Sequence, residues 1–276
     1  MPVISTNNAA NAALNYLNSN SSAETESISQ LASGSRIVKA SDDAAGLAIG
    51  TQLQASAAVL TQDQTNVAQG TSILQSADGA LAQISNVLQR MMSLATEAAS
   101  GQVTDTQRSQ DINTEYGQLK SEISSIVTST TYAGQTLLSG SFLSNVKFLV
   151  GTTSSNYLTV SVKNVTTTTL LGSASAGVKS ASTALSAIGS LSAAINTVTQ
   201  NRASIGAYES QLNFSSQAIS TNVQNTTASA STILDADVAA TKTALSSQDV
   251  KTQASIAALT QAAMLPQELL KLIQAG

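Results

Sequence analysis

Two long stretches of this chain repeat apolar residues at alternating steps of three and four, the spacing that winds helices into left-handed coiled coils. The first stretch runs from residue 43 to residue 99, and the second begins at residue 185. A stripe of this kind cannot bury itself, so each long helix needs a partner along its length. The chain is therefore expected to fold into paired helices.

The first long stretch carries two adjacent stripes, which predict contact with more than one neighbouring helix. One stripe consists of Leu53, Ala57, Leu60, Gln64, Val67, Thr71, Leu74, Asp78, Leu81, Ser85, Leu88, Met92 and Ala95. The other consists of Ile73, Ala77, Ala80, Ile84, Val87, Met91 and Leu94. The helix that they predict is roughly 80 Å long at 1.5 Å per residue.

The second long stretch carries a single stripe. It consists of Leu185, Ile188, Leu191, Ile195, Val198, Arg202, Ile205, Leu212, Ile219, Val223, Ala230 and Ile233. Between the two stretches, Thr104-Asp105 is a plausible N-cap for a shorter helix. That helix would present Ile112, Tyr116, Leu119, Ile123 and Ile126 on one face. Two alternating runs, 146–150 and 158–162, flank the turn-rich residues 151–156 and predict a β-hairpin.

A weaker amphipathic helix is predicted at each end of the chain. Polar residues interrupt the first stripe, which consists of Leu14, Leu17, Ser21, Glu24, Ile28 and Leu31 and ends before a suitable C-cap at Gly34. The last helix begins at Val238 and closes on an apolar cluster. This pair is predicted to be marginal in a free monomer and to order when neighbouring copies cover it. The candidate assembly residues are Leu14, Leu17, Ile28, Leu31, Leu259, Met264, Leu265, Leu269, Leu270 and Leu272.

These patterns predict a mainly α fold, a long antiparallel coiled-coil or helical-bundle rod with a small β-hairpin region and a pair of terminal helices. The predicted limits are residues 1–40 for the N-terminal segment, 41–178 and 179–235 for the two parts of the rod, and 236–276 for the C-terminal segment. The hairpin region spans residues 132–178.

Composition excludes several functional classes. Aromatic residues make up 3% of the chain and charged residues 10%, so a thick core is not expected and the charge-poor surface favours association. A net charge of −4 with no basic run argues against nucleic-acid binding. The chain has no Cys and no His, so we expect no metal, no cofactor and no catalytic site. No apolar run approaches the roughly 18 residues that span a membrane.

Several motifs resemble those of bacterial flagellins, at both ends of the chain and in the same order. On the N-terminal side they are residues 4–7, 31–37 (LASGSRI), 41–49 (SDDAAGLAI), 79–81, 88–91 and 94–95. On the C-terminal side they are residues 201–207 (NRASIGA), 213–214 and 264–270. Within them, adjacent Asp42 and Asp43 are expected to act as helix caps, and Arg36 to form an ion pair or bind backbone carbonyls.

This resemblance implies a structural subunit of the bacterial flagellar filament, which polymerises with copies of itself into a helical tube for swimming motility. It implies that residues 1–40 and 236–276 form an inner coiled coil at the filament core. It also implies export to the extracellular flagellum, an export chaperone, and contacts with cap and junction proteins. Few residues separate the two halves, which resembles a short flagellin without large outer domains.

The resemblance further implies recognition by host innate immune receptors. The matching positions are Gln89, Arg90, Leu94 and Glu115, together with residues 29–50 for the epitope sensed by plants. The charged pair usual after Arg90-Met91 is replaced here by Met92-Ser93, which weakens the expected animal-receptor contact.

Two other functions compete with a filament subunit. A hook–filament junction protein of the flagellum would use terminal segments in the same way. Residues 36–49 and 201–207 nevertheless fit a filament flagellin better. A helical protein that coats lipid surfaces needs a Lys/Arg-rich polar face and large apolar residues, and the chain lacks both. The Thr run at 166–169 is a candidate site for O-glycosylation.

Overall fold

The computed structural model describes residues 7–139, 142–153 and 155–274, and it is mainly helical. The helices are α1 (Asn8–Ser33), α2 (Ala44–Ala99), α3 (Asp105–Gln107), α4 (Asn113–Ser129), α5 (Thr167–Leu171), α6 (Ala181–Leu234) and α7 (Val238–Gln274). The strands are β1 (Thr131–Tyr132), β2 (Gln135–Thr136), β3 (Val146–Leu149) and β4 (Tyr157–Val160). The predicted class, mainly α with a small β-hairpin, is confirmed.

The chain forms two compact units, which we call the terminal unit (residues 1–55 and 225–276) and the central unit (residues 56–224). The limits of these units fall inside α2 and α6. The domain limits drawn from the sequence lie instead near the ends of helices, and they stay a prediction of where the segments of the filament core begin.

In the central unit, the buried positions of α2 recur at alternating steps of three and four along one face. They are Leu60, Asp63, Val67, Gly70, Leu74, Ala77, Leu81, Ile84, Leu88, Met91, Ala95 and Ala98, with Ile73 and Leu94 buried beside them. Five of the thirteen residues in the predicted first stripe are therefore wrong by one position, because the buried residue that follows Leu60, Val67 and their heptad equivalents comes three residues later, not four. Gln64, Thr71, Asp78, Ser85 and Met92 are only partly buried.

The buried face of α6 follows the same rule and contains many small residues. In the central unit it consists of Ala184, Ala187, Leu191, Ala194, Val198, Asn201, Ile205, Leu212 and Ile219. Leu185 was predicted to lie on this face, and this prediction was wrong because its side chain is 63% exposed. The smaller Ala184 takes the buried position next to it, and small residues at a helix contact allow the two backbones to approach closely.

One ion pair joins the two long helices. The guanidinium of Arg202 on α6 donates to both carboxylate oxygens of Asp78 on α2, at 2.8 and 3.2 Å. Hydrogen bonding to Asp78 raises the pKa of Arg202. Both residues were members of the predicted apolar stripes, and both lie at the edge of the contact rather than within it. A two-pronged pair of this kind fixes register more than it adds stability, since both side chains remain partly exposed.

A buried arginine closes the turn after α2, which the sequence pattern did not predict. Arg108 is 5% exposed, and its guanidinium donates to the carbonyls of Ala98, Ser100 and Val103, at 2.6, 3.2 and 3.0 Å, and to the carboxylate of Asp105. Carbonyls at a helix end need donors from outside the helix, and Arg108 supplies them. The N-cap that was predicted at Thr104 is confirmed, with a capping box completed by Gln107.

The predicted hairpin is confirmed as the antiparallel pair β3 and β4, in which Phe148 pairs with Leu158 and Val146 with Val160. A second, tight hairpin, β1–β2, was not predicted; its turn holds Ala133 and Gly134 at positive φ. The short helix α5 within the Thr-rich segment was not predicted either.

Glycine allows the β3–β4 hairpin to pack closely against α2. A Cβ atom added at Gly70 would lie 2.9 Å from the ring of Phe148, closer than real Cβ contacts. At Gly79, on the same helix, a Cβ atom would meet nothing within 4 Å.

These two glycines provide a matched test of that packing. Gly79→Ala should stabilise the central unit by about 0.5–1 kcal/mol, because alanine loses less backbone entropy in a helix. Gly70→Ala should destabilise it by about 1–3 kcal/mol, because the ring must move. Chemical denaturation followed by circular dichroism measures both changes. Equal stabilisation by the two substitutions would contradict the close contact.

Two carboxylates in the central unit each have one buried oxygen without a hydrogen-bond partner among the described residues. Asp63 is 1% exposed, and neither its Oδ2 atom nor the Oε1 atom of Glu209 has a hydrogen-bond partner among the described residues. Burial raises the pKa of Asp63, and burial together with the charge of Asp78 raises the pKa of Glu209. Because the folded pKa values exceed the unfolded ones, both groups destabilise the fold once they ionise.

The stability of the central unit should therefore rise as the pH falls from 7 towards the ordinary carboxyl pKa near about 4. Asp63→Asn should raise the midpoint of thermal unfolding at pH 7 and lose that advantage by about pH 3, below the ordinary carboxyl pKa, where Asp63 is protonated in both states. Exposed Asp111 provides the control, since Asp111→Asn should give no gain at pH 7. A gain for Asp63→Asn that is the same at both pH values would contradict an ionisation penalty.

Candidate functional site: the paired terminal helices

Helix α1 is delimited by caps at both ends. The Oδ1 atom of Asn7 accepts a hydrogen bond from the amide of Ala10 at 3.0 Å and closes the N-terminus. Gly34 ends the helix in the left-handed conformation, with φ of 70°, as the sequence predicted. The preceding motif residues 4–6 lie outside the described residues.

Helices α1 and α7 pack antiparallel in the terminal unit, through a contact that includes several polar pairs. The amide of Asn20 donates to the Ser255 hydroxyl at 2.9 Å, and the hydroxyl of Thr252 donates to Glu24 at 3.1 Å. Neither helix buries a large aliphatic side chain in this contact among the described residues. The pairing therefore relies on close backbone approach and side-chain hydrogen bonds.

We call the facing positions of the two helices the terminal seam. On α1 they are Ala13, Leu17, Asn20, Glu24, Ser27 and Leu31; on α7 they are Thr241, Leu245, Gln248, Thr252, Ser255, Leu259, Ala262 and Pro266. The predicted stripe on α1 was wrong at three positions: Leu14, Ser21 and Ile28 are exposed, and the residue before each of them lies in the seam. Apart from four partly buried leucines (Leu17, Leu31, Leu245 and Leu259), the seam consists mainly of small or polar residues, and the larger apolar residues Leu14 and Ile28 beside it face outward.

The predicted assembly residues separate into two groups. Leu17, Leu31 and Leu259 lie in the terminal seam and are partly buried. Leu14, Ile28, Met264, Leu265 and Leu270 are exposed in the single chain. The side chains of Leu269 and Leu272 lie outside the described residues. Four further apolar residues of α1 and α7 are exposed but were not among the predicted assembly residues, namely Tyr16, Val238, Val250 and Ile256.

A short bridge, which we call the linker clasp, joins the connection between α1 and α2 to the connection between α6 and α7. The amide of Arg36 donates to the carbonyl of Leu234 at 2.6 Å, and the amide of Ala236 donates to the carbonyl of Gly34 at 3.0 Å. The Arg36 guanidinium donates twice to the carbonyl of Ile233, at 3.0 and 2.7 Å. The Ser35 hydroxyl contacts the Leu234 carbonyl at 3.1 Å.

The roles expected of Arg36 and Asp43 are confirmed, but the helix cap expected of Asp42 is wrong. Asp43 accepts from the amide of Gly46 at 2.8 Å at the start of α2, whereas Asp42 accepts from the amides of Val38 and Lys39, at 3.2 and 2.8 Å, in the connection before that helix. The guanidinium of Arg36 lies 4.0 Å from the carboxylate of Asp43 and donates to the carbonyl of Ile233 at the end of α6. These charges hold backbone in place.

Three of the four receptor-like positions lie at the surface of the central unit, and the fourth does not. Arg90 donates to Glu115 at 2.8 Å, and Gln89 is exposed beside them. Leu94 is 2% exposed and packs in the core, because it lies on the inner face of α2. Receptor recognition stays a prediction, with Leu94 buried in this conformation.

Among the residues that the structure describes, no three His, Cys, Asp or Glu side chains cluster in a way that holds a metal ion. No helix in the described part of the chain is both long enough and apolar enough to cross a membrane.

Two family models match the chain. Residues 4–142 match the bacterial flagellin N-terminal helical region, and residues 188–273 match the bacterial flagellin C-terminal helical region. The chain belongs to the bacterial flagellin family. It is therefore a structural subunit of the bacterial flagellar filament, from a family of structural proteins that form this extracellular filament.

Known relatives agree with this membership. The flagellin of Bacillus subtilis is 30% identical over 98% of this chain and 99% of its own length. The flagellar filament core protein flaB2 of Brachyspira hyodysenteriae is 30% identical over 88% of this chain and 90% of its own. This flagellin therefore spans nearly the whole length of both relatives.

Two solved structures share the fold of this flagellin. Bacillus cereus flagellin is 28% identical, with a TM-score of 0.51 over 56% of this chain and 88% of its own. A putative flagellar hook-associated protein from Vibrio parahaemolyticus has a TM-score of 0.57 over 70% of this chain, at 17% identity, which shows a common fold alone. The junction-protein alternative is not favoured, because the family models and curated relatives are flagellins and filament core proteins.

The linker clasp can be tested by removing the Arg36 guanidinium. In assembled protein, Arg36→Met should speed amide exchange at residues 36 and 236 about fivefold, because the carbonyl of Ile233 loses two donors. Lys39→Met removes the same charge from a side chain that makes no hydrogen bond or ion pair within the described residues, and it should leave both amides unchanged. Hydrogen–deuterium exchange with mass spectrometry measures the two variants, and identical exchange would contradict the clasp.

Proposed function

We propose that the terminal unit is the part of this flagellin that neighbouring subunits cover when the filament grows. The observation that carries the proposal is the distribution of apolar side chains on α1 and α7. The contact between the two helices contains small and polar residues and four leucines that are only partly buried, whereas large apolar residues such as Leu14, Ile28 and Leu265 face outward. A row of exposed apolar side chains on charge-poor helices favours burial against a partner.

A second copy of the same chain is the natural partner for these faces. Few charges lie among the exposed apolar residues of α7, so copies approach without strong repulsion, and each buried Leu or Met side chain contributes about 1.5–3 kcal/mol. The terminal pair alone buries few large side chains, so its helices gain most of their stability on assembly. Polymerisation and ordering of α1 and α7 are coupled under this proposal.

The same coupling supports the proposed export route. A terminal pair that is marginal in the free subunit passes through a narrow channel unfolded at little cost, with an export chaperone holding the C-terminal segment. Cap and junction proteins at the two ends of the filament, and host innate immune receptors, are further partners that the family membership supports. The subunit then acts outside the cell, in the flagellum.

Leu265→Asp tests the role of the exposed apolar face. The substitution places a charge in a water-poor contact between subunits and should raise the subunit concentration needed for growth at least tenfold, or about 1.4 kcal/mol. Leu265→Met keeps the apolar surface and should grow normally. Seeded growth is measured by light scattering and electron microscopy. Normal growth of the aspartate variant would contradict the proposal.

Deletion of residues 247–276 tests the same idea without introducing a charge. The truncated chain should keep the unfolding transition of the central unit, because its core residues all lie between Leu60 and Ile219. It should not extend seeds. Elongation by the truncated chain would show that α7 is not needed for subunit contact.

A further inference from the structure

The interior of α7 contains a proline, Pro266, within a helix that runs from Val238 to Gln274. Proline has no amide hydrogen to donate to the carbonyl four residues earlier, and its ring crowds that carbonyl. The carbonyl affected is that of Ala262, a buried residue of the terminal seam. A buried carbonyl without a donor destabilises the helix that contains it.

Asn7 supplies the missing donor from the other end of the chain. Its side-chain nitrogen Nδ2 donates to the carbonyl of Ala262 at 2.7 Å, across a separation of 255 residues. Its side-chain oxygen Oδ1 accepts from the amide of Ala10 at 3.0 Å and caps α1. One amide group therefore closes the N-terminus of α1 and repairs the hydrogen-bond gap that Pro266 leaves in α7.

The two tasks together require asparagine. Ser, Thr and Asp cap helices as well as Asn does, but an ionised Asp has no hydrogen to donate, and the hydroxyls of Ser and Thr are shorter. The position of the proline also singles out one carbonyl. The chain has two prolines and Pro266 is the one within α7, so the carbonyl of Ala262 is the single interior carbonyl of that helix deprived of its donor by proline.

We infer that Asn7 and Pro266 form a register lock, which pairs α1 with α7 in one alignment. The rest of the terminal seam selects a register less strongly than a leucine-rich seam, because its four leucines (Leu17, Leu31, Leu245 and Leu259) are only partly buried and its other residues are small or polar. Contacts such as Asn20 to Ser255 join side chains that have many equivalents along both helices. In a pair shifted by one helical turn, Asn7 no longer reaches the carbonyl of Ala262, whose donor is lost.

The lock adds a positioning role to the proposed function. Its consequence for the filament rests on that proposed function, in which neighbouring subunits cover the terminal unit. Repeated contacts between copies require every subunit to present the same outward face. A shift between α1 and α7 moves Leu14 and Ile28 relative to Leu265 and so changes that face. Asn7 thus acts as a positioning residue for assembly, although its own contact lies within one chain.

A double-mutant cycle tests the lock. Asn7→Asp keeps the size and the helix cap but removes the donor, so amide exchange across residues 255–266 in seeded filaments should become about tenfold faster. Pro266→Ala restores an amide hydrogen to the carbonyl of Ala262, and in that background Asn7→Asp should change exchange less than about twofold. Asn8→Asp, at the exposed next position, is the matched control and should have little effect. An effect of Asn7→Asp that is the same in both backgrounds overturns the lock.

Cysteine pairs report the register directly, since the natural chain has no cysteine. Asn20→Cys with Ser255→Cys should form a disulfide within one chain, and Asn20→Cys with Leu259→Cys, one turn away, should form it much less. Asn7→Asp should move cross-linking towards the shifted pair. An unchanged pattern overturns the lock.

The cross-links are measured on non-reducing gels, in free and in assembled protein. If the unsubstituted chain does not extend seeds, the proposed function is contradicted. The lock is then tested by the cross-links that form in the free chain. If the shift is absent in both states, the lock itself is wrong.

Discussion

Small residues along the helix contacts are the constraint on which the rest of this structure depends. Gly70, Ala77 and Ala187 in the central unit, and Ala13 and Ala262 in the terminal unit, occupy positions where coiled coils often carry leucine. Such residues let helix axes approach closely, but each buries little apolar surface, at about 25 cal/mol per Å². Stability must then come from the length of the contact and from larger residues beside it.

The two units meet this requirement differently. In the central unit, α4, the β3–β4 hairpin and α5 supply further layers, so Ile73, Leu94 and Phe148 beside the long-helix contact are buried within the same chain. In the terminal unit the start of α2 and the end of α6 also meet and bury Leu234, but the larger residues of the α1–α7 pair, such as Leu14 and Ile256, remain exposed. Small residues at the helix contacts therefore have different consequences in the two units. In the central unit the larger residues beside them are buried within the chain, and in the terminal unit they stay exposed.

Periodicity predicted the helices well and their buried faces less well. Helix ends followed from local chemistry at Gly34 and Thr104, where caps act within a few residues. The faces were misread where a large residue adjoins a small one, because hydrophobicity selects Leu185 although packing buries Ala184. The roles of Arg108 and of Asn7 were not predictable from pattern, since each binds carbonyls whose need for a donor arises only in the folded chain.

Polar contacts supply the alignment that such apolar seams leave weakly determined. A heptad of small residues tolerates a slip by one repeat, because alanine replaces alanine, whereas a specific polar pair does not. In the central unit that pair is Asp78 with Arg202, a charge-assisted contact at the edge of the long helices. In the terminal unit it is a neutral amide and a carbonyl that proline leaves free. A neutral lock suits a surface that must later be buried by other subunits, because it brings no charge into a dry contact.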